Sequence, residues 1–350
     1  MRRIFCNIRR MVWDLQTSNW HVRPARLDDL DGLLMLAESA DEGMTNLPPN
    51  RKALGERIER SIDAFDRDIA QPENELYLLV LDDGTGSIAG TACLFSKVGQ
   101  TWPFYTYRLT QIVHHSRELG QRYCEDMLHL SNDFGGATEV GGLFLHSACR
   151  ANGTGRLLAR SRYMLIGQFP NRFSCRIMAE LRGWVAPNGS TPFWDSVGRN
   201  FFHMPLAEAD RYGGINGNQF IADLMPKYPI YVSMLPQPVR PLIGKVHESS
   251  APALKLLMNE GFRLTEHVDI FDAGPVVECR ASDLKAIADR ECGVVASLGN
   301  QPKGRPALMS KGSGRDFRCW VDHTSSDPAG LTRQGERFAE VGEEVAHVEF

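Results

Sequence analysis

The sequence lacks any apolar run near the roughly 20 residues that a membrane-spanning helix needs, so no membrane segment is expected. Four arginines stand in the first ten residues, but the apolar stretch of about 7–15 residues that completes a secretory signal does not follow them. We therefore interpret residues 1–19 as a mobile N-terminal extension and predict a cytoplasmic protein.

An excess of charge of one sign is also missing. Lysine and arginine together number 39, aspartate and glutamate 43, and the formal net charge is −4. Nucleic-acid-binding surfaces usually carry a strong basic patch, so a nucleic-acid partner is not expected. The eight cysteines are scattered and form no C-x-x-C pair, which predicts reduced thiols and no metal site.

The composition that is present is typical of a globular protein with a core, because 43% of the 350 residues are hydrophobic and 23% are charged. Hydrophobic periodicity over residues 20–205 predicts a strand, two helices, four strands, a glycine turn, a helix, a strand and a short helix. This order predicts an α/β (α+β) fold with a mixed, mostly antiparallel sheet flanked by helices. Residues 206–350 are less regular, but "SSAPALKLLMNEGF" predicts a helix that ends at Gly261.

The motif that carries chemistry is "RANGTG", residues 150–155, between a predicted strand and a predicted helix. A glycine turn in that place presents backbone N–H groups at the positive end of the helix dipole, which predicts an anion site. The sequence contains no G-x-x-x-x-G-K-[ST] P-loop, and the turn does not have the G-x-G-x-x-G spacing of dinucleotide-binding sites. The alternative is a turn that only reverses the chain.

This string resembles the pyrophosphate-binding signature of the GNAT acyltransferase superfamily, and the order of elements is similar. The resemblance implies a GNAT-like fold in which the turn binds the diphosphate of coenzyme A, through Arg150, Gly153, Thr154, Gly155 and Arg156. In such folds the strand before the turn is splayed from its neighbour, and the pair Gly141-Gly142 would permit a bulge there. A backbone N–H of that strand would then donate to the thioester carbonyl as charge develops on it.

Longer strings over roughly residues 20–345 resemble one family within that superfamily, arginine N-succinyltransferase; among them are "LSNDFGG", "GGLFLH", "AELRG", "IGKVH" and "DIFDAGPVVEC". The resemblance implies transfer of a succinyl group from succinyl-coenzyme A to the α-amine of L-arginine, without a metal cofactor. The family's succinyl-coenzyme A contact falls on Leu143, and its proton-donor histidine falls on His247.

We also expect two parts, a GNAT domain over 20–205 and a second, degenerate GNAT-like half over 206–350 that contributes His247. Some family members pair two related chains, so a homo-oligomer and a hetero-oligomer both remain open. Two other functions also remain open. One is a GNAT N-acyltransferase that uses acetyl-coenzyme A or acts on ornithine, and the other is a non-catalytic partner subunit.

Acidic residues near strand ends are candidates for substrate binding. A guanidinium stays charged and prefers a bidentate carboxylate, so we expect at least one such acid. Asp133 and Glu180 are the candidates for binding the guanidinium or the amine of arginine. Asp269 and Asp272 are further candidates, although "FDAGP" first predicts a turn.

The remaining candidates are cations and histidines. The carboxylate of a succinyl group needs a cation or amide donors, for which Arg182 and Lys245 are candidates. Histidine can accept or donate a proton near pH 7, so the direction of proton transfer at His247 stays open. His146, which directly follows the strand before the turn, is the next candidate.

Overall fold

The structure is a computed structural model that describes residues 19–40, 47–151, 153–186, 189–206, 208–209, 219–299, 304–327, 330–334 and 338–350. The predicted N-terminal extension lies outside these residues, apart from Asn19. The described chain forms two compact units. Unit 1 is drawn from Met1–Ser96, Val140–Ser174 and Ala281–Phe350, and unit 2 from Lys97–Glu139 and Cys175–Arg280.

The helices and strands are as follows. The α-helices are α1 Leu30–Ser39, α2 Arg51–Asp66, α3 Thr154–Gln168, α4 Pro192–Ser196, α5 Arg199–Phe202, α6 Gln219–Leu224, α7 Ala251–Glu260 and α8 Lys285–Ala288. The strands are β1 His21–Pro24, β2 Leu76–Asp82, β3 Ile88–Phe95, β4 Thr106–Ser116, β5 Gln121–Ser131, β6 Thr138–Leu145, β7 Arg176–Glu180, β8 Ile230–Tyr231, β9 Arg263–Asp269, β10 Pro275–Arg280, β11 Glu291–Gly299, β12 Arg305–Lys311, β13 Arg318–Asp327, β14 Gly330–Gln334 and β15 Glu344–Glu349.

The strands of unit 1 lie in the order β12-β15-β11-β14-β13-β1-β2-β3-β6. Because β12 also pairs with β13, strands β11 to β15 close into a ring of five. Strand β1 joins this ring to the rest of the sheet, with His21 opposite Trp320 on one side and opposite Asp82 on the other.

Helices α1 and α2 pack on the sheet of unit 1. Leu33 of α1 and Leu54 and Ile58 of α2 belong to one buried cluster with Leu78 of β2. The Ser61 hydroxyl accepts a hydrogen bond of 2.8 Å from the backbone N–H of Leu78, which fixes α2 against β2. The amphipathic pattern of the sequence predicted this packing because the apolar residues recur at helical spacing.

The strands of unit 2 lie in the order β7-β10-β9-β4-β5-β8. The first two residues of β6, Thr138 and Glu139, also belong to unit 2 and pair in parallel with Ile177 and Met178 of β7. The core of this unit contains Trp194, which stacks on Phe202. Strand β5, which the sequence did not predict, pairs with β4 along its whole length.

The predicted fold class, a mixed and mostly antiparallel sheet with helices, is confirmed. The two units interleave along the chain, whereas the sequence predicted consecutive parts 20–205 and 206–350. The descent of the two parts from two GNAT-like halves stays a prediction. In the part of the chain that the structure describes, no helix is both long enough and apolar enough to cross a membrane.

Candidate functional site

The glycine turn of unit 1 has the geometry that the sequence predicted. After β6, a short 3₁₀ helix over Ser147–Cys149 leads into the turn, and α3 begins at Thr154. Gly153 has φ +87°, a left-handed conformation that strongly favours glycine. The first backbone N–H groups of α3 point out of the helix end, as helix geometry requires, and a carbonyl or an anion can accept hydrogen bonds from them.

Two side chains of the turn donate to backbone carbonyls, and a third lies over an aromatic ring. The Thr154 hydroxyl donates to the carbonyl of Ala151 at 2.8 Å, and its backbone N–H donates to the same carbonyl at 3.1 Å, so Thr154 shapes the turn. Arg150 donates from Nε to the carbonyl of Leu145 at 2.9 Å, and its side chain is otherwise exposed. The Arg156 guanidinium lies over the Phe350 ring, 3.9 Å from its centre.

Strand β6 is irregular where the glycine pair predicted a bulge. Gly142 has φ +55°, which interrupts regular extended backbone just before Leu143. The parallel pairing with β7 involves Thr138 and Glu139, at the start of the strand. Leu143 itself is half-buried. These features fit a strand whose N–H groups are used by a ligand instead of a neighbouring strand.

His146 lies at the entrance to the turn. Its backbone N–H donates to the carbonyl of Ala89 at 2.9 Å, and its Nδ1 accepts from the N–H of Ala148 at 3.3 Å. Burial and the nearby positive charge of Arg150 lower the pKa of His146. The imidazole is therefore neutral near pH 7.

In unit 2, His247 is held from two sides. Its backbone N–H donates to the carbonyl of Arg182 at 2.8 Å, next to an antiparallel bridge between Gly183 and Val246. Its side chain caps the 3₁₀ helix Glu248–Ser250 that precedes α7, because Nδ1 accepts from the Ser249 N–H at 3.2 Å. The Ser249 hydroxyl oxygen lies 2.7 Å from the same nitrogen. The ring is half-buried.

Three carboxyl groups converge beside this segment of unit 2. Glu180 ends β7, and its register partner on β10 is Val276. Asp269 ends β9, and Asp272 lies in the turn between β9 and β10. Asp272 accepts hydrogen bonds from the N–H groups of Gly183 and Gly274, at 2.7 and 2.8 Å.

The negative charge of these acids is poorly compensated. Burial, together with the charges of Asp269, Glu139 and Asp272, raises the pKa of Glu180 well above its usual range. Burial and the charge of Asp272 do the same for the pKa of Asp269. The Glu180 side chain as a whole is half-buried, but its Oε1 is shielded from solvent and has no hydrogen-bond partner in the described part of the chain. A bound cation would stabilise all three carboxylates.

Asp133, the other predicted acid, is already engaged. It is exposed, and its Oδ2 lies 3.0 Å from Nε2 of the buried His267. The hydrogen bond from His267 lowers the pKa of Asp133. Arg108 lies 3.9 Å from the same carboxylate. Asp133 is therefore a poorer candidate for a guanidinium than Glu180.

The structure also shows the surroundings of Arg182 and Lys245, the cations predicted to bind a succinyl carboxylate. The positive charge of Arg182 is among the interactions that lower the pKa of Asp272, although burial raises that pKa overall. Lys245 is exposed, with Nζ 6.0 Å from the centre of the Trp184 ring. The charge of Arg182 thus acts on Asp272, which makes Arg182 a weaker anion ligand.

Two features of the site were not predicted from the sequence. The first is the contact of Ser249 with Nδ1 of His247. The His-x-Ser spacing ahead of a helix is a sequence signal that could have indicated this capping contact. The His267–Asp133 pair joins residues 134 positions apart, for which a single sequence carries no signal. Among the described residues, no group of histidine, cysteine and acidic side chains could hold a metal ion.

Comparison with protein-family models matches residues 20–286 to the family described as arginine N-succinyltransferase beta subunit. Curated relatives named arginine N-succinyltransferase include one from Enterobacter sp. (strain 638), 37% identical over 305 residues, which cover 87% of this chain and 89% of the relative. Another, from Escherichia coli O139:H28, is 38% identical over 315 residues, which cover 88% of this chain and 89% of the relative.

Among solved structures, the chain is similar to arginine/ornithine succinyltransferase subunit AI from Pseudomonas aeruginosa. The TM-score is 0.85 and the sequence identity is 29%, and the match covers 95% of this chain and 99% of that chain. The family-model match over residues 20–286 contains the glycine turn, the acids of unit 2 and the His247 segment.

Proposed function

We infer the reaction from the family to which this chain belongs, the arginine N-succinyltransferases. The chain is an acyltransferase. We propose that it transfers a succinyl group from succinyl-coenzyme A to the α-amine of L-arginine. The single observation that carries this proposal is the family match over residues 20–286, since that range includes both the glycine turn and His247.

The donor binds, in this proposal, at the glycine turn of unit 1. The backbone N–H groups at Gly155 and Arg156 face the diphosphate of coenzyme A, while Thr154 and Gly153 keep the turn in shape. A methyl group at Gly155 would come only within 3.8 Å of Leu145, so the turn leaves room for a ligand. Arg150 adds positive charge. The Leu143 N–H, next to the irregularity at Gly142, donates to the thioester oxygen.

His247 gives a proton to the leaving sulfur in this proposal. The Ser249 N–H can only donate, so Nδ1 accepts and the ring hydrogen sits on Nε2. As the amine bonds to the carbonyl carbon and the C–S bond breaks, Nε2–H supplies the proton that the thiolate needs. At the same time the Ser249 hydroxyl, 2.7 Å from Nδ1, gives its proton to that nitrogen and is reprotonated from solvent, so the ring ends with its hydrogen on Nδ1. The substrate ammonium loses two protons overall, one of which balances the new thiol and one of which goes to solvent.

The acceptor binds, in this proposal, at the acids of unit 2. Glu180 takes the guanidinium because that acid combines an unpaired oxygen with the charges of Asp269 and Asp272. Arg182 positions His247 through its carbonyl and Asp272 through its charge. Asp133, which pairs with His267, holds its strand end instead of the substrate.

Product analysis tests the proposed function. The purified chain is given L-arginine with either succinyl-coenzyme A or acetyl-coenzyme A, and mass spectrometry with fragmentation identifies the acylated nitrogen. We expect N-α-succinylarginine and at least tenfold faster turnover with the succinyl donor. Preference for the acetyl donor would identify a different GNAT N-acyltransferase. Donor binding without product would identify a non-catalytic subunit.

A further inference from the structure

Arg57 of α2, in unit 1, carries a guanidinium whose donors are not satisfied. Its Nε and Nη2 are enclosed and have no hydrogen-bond partner among the residues that the structure describes. The guanidinium carbon lies over Phe95 of β3, 5.7 Å from the ring centre. Donors removed from water without acceptors are costly, so an anion that reaches this group is stabilised.

The surroundings of Arg57 add positive charge. Burial and the positive charge of Arg57 lower the pKa of Arg60, one helical turn further on. Arg60 donates to the carbonyl of Asn74 only at a long 3.4 Å. Two neighbouring guanidinium groups repel each other, and an anion between them or beside them removes that repulsion.

The position of Arg57 connects it to the donor strand. The carbonyl of Ala89 accepts from the N–H of His146, and the N–H of Val98 donates to the carbonyl of Ala137, so β3 and β6 run antiparallel. Phe95, at the end of β3, therefore lies opposite Val140 of β6, three residues before Leu143. Three residues of a strand span about 10 Å, a distance that a four-carbon acyl group on Leu143 and the long side chain of Arg57 can bridge together.

We propose that Arg57 binds the free carboxylate of a dicarboxylic acyl group carried by coenzyme A. This inference rests on the proposed function, in which the donor binds at Leu143 and the glycine turn. The Nε–Nη2 edge of a guanidinium offers two parallel donors that match the two oxygens of a carboxylate. In the part of the chain that the structure describes, neither Nε nor Nη2 makes a hydrogen bond that would have to break before this edge bound a carboxylate. An acetyl group has no carboxylate that could accept hydrogen bonds from this edge. Arg57 therefore favours a dicarboxylic acyl group over an acetyl group.

Binding measurements on the full chain test this role separately from turnover. Calorimetry compares succinyl-coenzyme A with acetyl-coenzyme A for the wild type, Arg57→Gln and Arg57→Met, the second of which keeps the apolar stem. Loss of one charged hydrogen-bond pair should weaken succinyl-coenzyme A binding by about tenfold to a hundredfold and leave acetyl-coenzyme A binding unchanged. Lys52→Gln, which removes the same charge from an exposed position of α2, is the matched control.

The outcomes separate the two proposals. If both folded Arg57 variants keep the wild-type preference for succinyl-coenzyme A, the role of Arg57 is overturned and the proposed function stands. Weakened binding of both donors by the same factor would also overturn it, because it would show general damage to the site. If the wild type itself prefers acetyl-coenzyme A, the proposed function fails.

Discussion

Ser249 decides which nitrogen of the His247 ring carries hydrogen. Its backbone N–H must donate, so Nδ1 accepts and the reactive hydrogen lies on Nε2. The family resemblance implied a proton donor at this position, whereas general chemistry allowed either direction. The hydrogen bonds of Ser249 therefore favour donation for a physical reason that is local to this chain.

Replacement of Ser249 by alanine tests this relay. Ser249→Ala keeps the backbone N–H, so the ring hydrogen stays on Nε2, but it removes the hydroxyl that can return a proton to Nδ1. We expect kcat to fall about tenfold, the size of one lost hydrogen bond in the transition state, with KM for arginine nearly unchanged. Steady-state kinetics beside Ser282→Ala, which removes an exposed hydroxyl elsewhere, measures this. An unchanged kcat would exclude the hydroxyl as a relay.

At the scale of structural elements, the glycine turn depends on its backbone conformation. Gly153→Ala and Gly86→Ala both force a side chain into a left-handed conformation, at φ +87° and +90°. Each should lower the free energy of unfolding by about 1–2 kcal/mol. Only Gly153→Ala should raise KM for the coenzyme A donor, because the turn at Gly86 belongs to an exposed hairpin. Urea denaturation and donor-dependent kinetics measure the two effects, and equal KM values in both variants would contradict a diphosphate site at Gly153.

Elements with strong local signals were predictable. Helix α7 begins after Ser250, carries Pro252 near its start and ends at Gly261, whose φ of +114° only glycine adopts readily. The hairpin of β2 and β3 has an equally strong local signal, the Asp-Asp-Gly-Thr-Gly turn between its strands. Residues 192–202 form two short helices, Pro192–Ser196 and Arg199–Phe202, instead of the single one predicted, and Val197, with φ −118°, lies at the break.

Elements that depend on distant partners were not predictable. The ring of β11 to β15 is closed by pairing between β12 and β13 and joined to β1 almost 300 residues earlier, and no local pattern specifies such partners. Strand β5 was missed because its residues are mostly polar and only two of the eleven are buried. In α2, Arg57 looks like any other polar residue of an amphipathic helix, and only its missing acceptors distinguish it.

At the scale of the whole molecule, the buried acids of unit 2 make stability depend on pH. Burial raises the pKa of Glu180, so the folded chain holds a proton that the unfolded chain releases. The free energy of unfolding should therefore fall as pH rises from about 4 through the raised pKa of the folded state. Glu180→Gln should reduce this decline, as urea midpoints at pH 5 and pH 8 would measure.

The same variant links stability to substrate binding. Arginine should raise the urea midpoint of the wild type at pH 8, because a ligand that binds only the folded state stabilises it, and citrulline, which lacks the positive charge, should not. Glu180→Gln should lose most of the effect of arginine. A variant that shows the wild-type pH dependence and the wild-type response to arginine would remove Glu180 from the acceptor site.

The most direct test of the account is thiol release from succinyl-coenzyme A in the presence of L-arginine, with the wild type beside His247→Ala. The account predicts turnover by the wild type and a loss of about 10²- to 10⁴-fold in kcat for the variant, the range for removal of a general acid, with donor binding retained. A His247→Ala variant that turns over within a few-fold of the wild type would contradict the role of His247 as the proton donor.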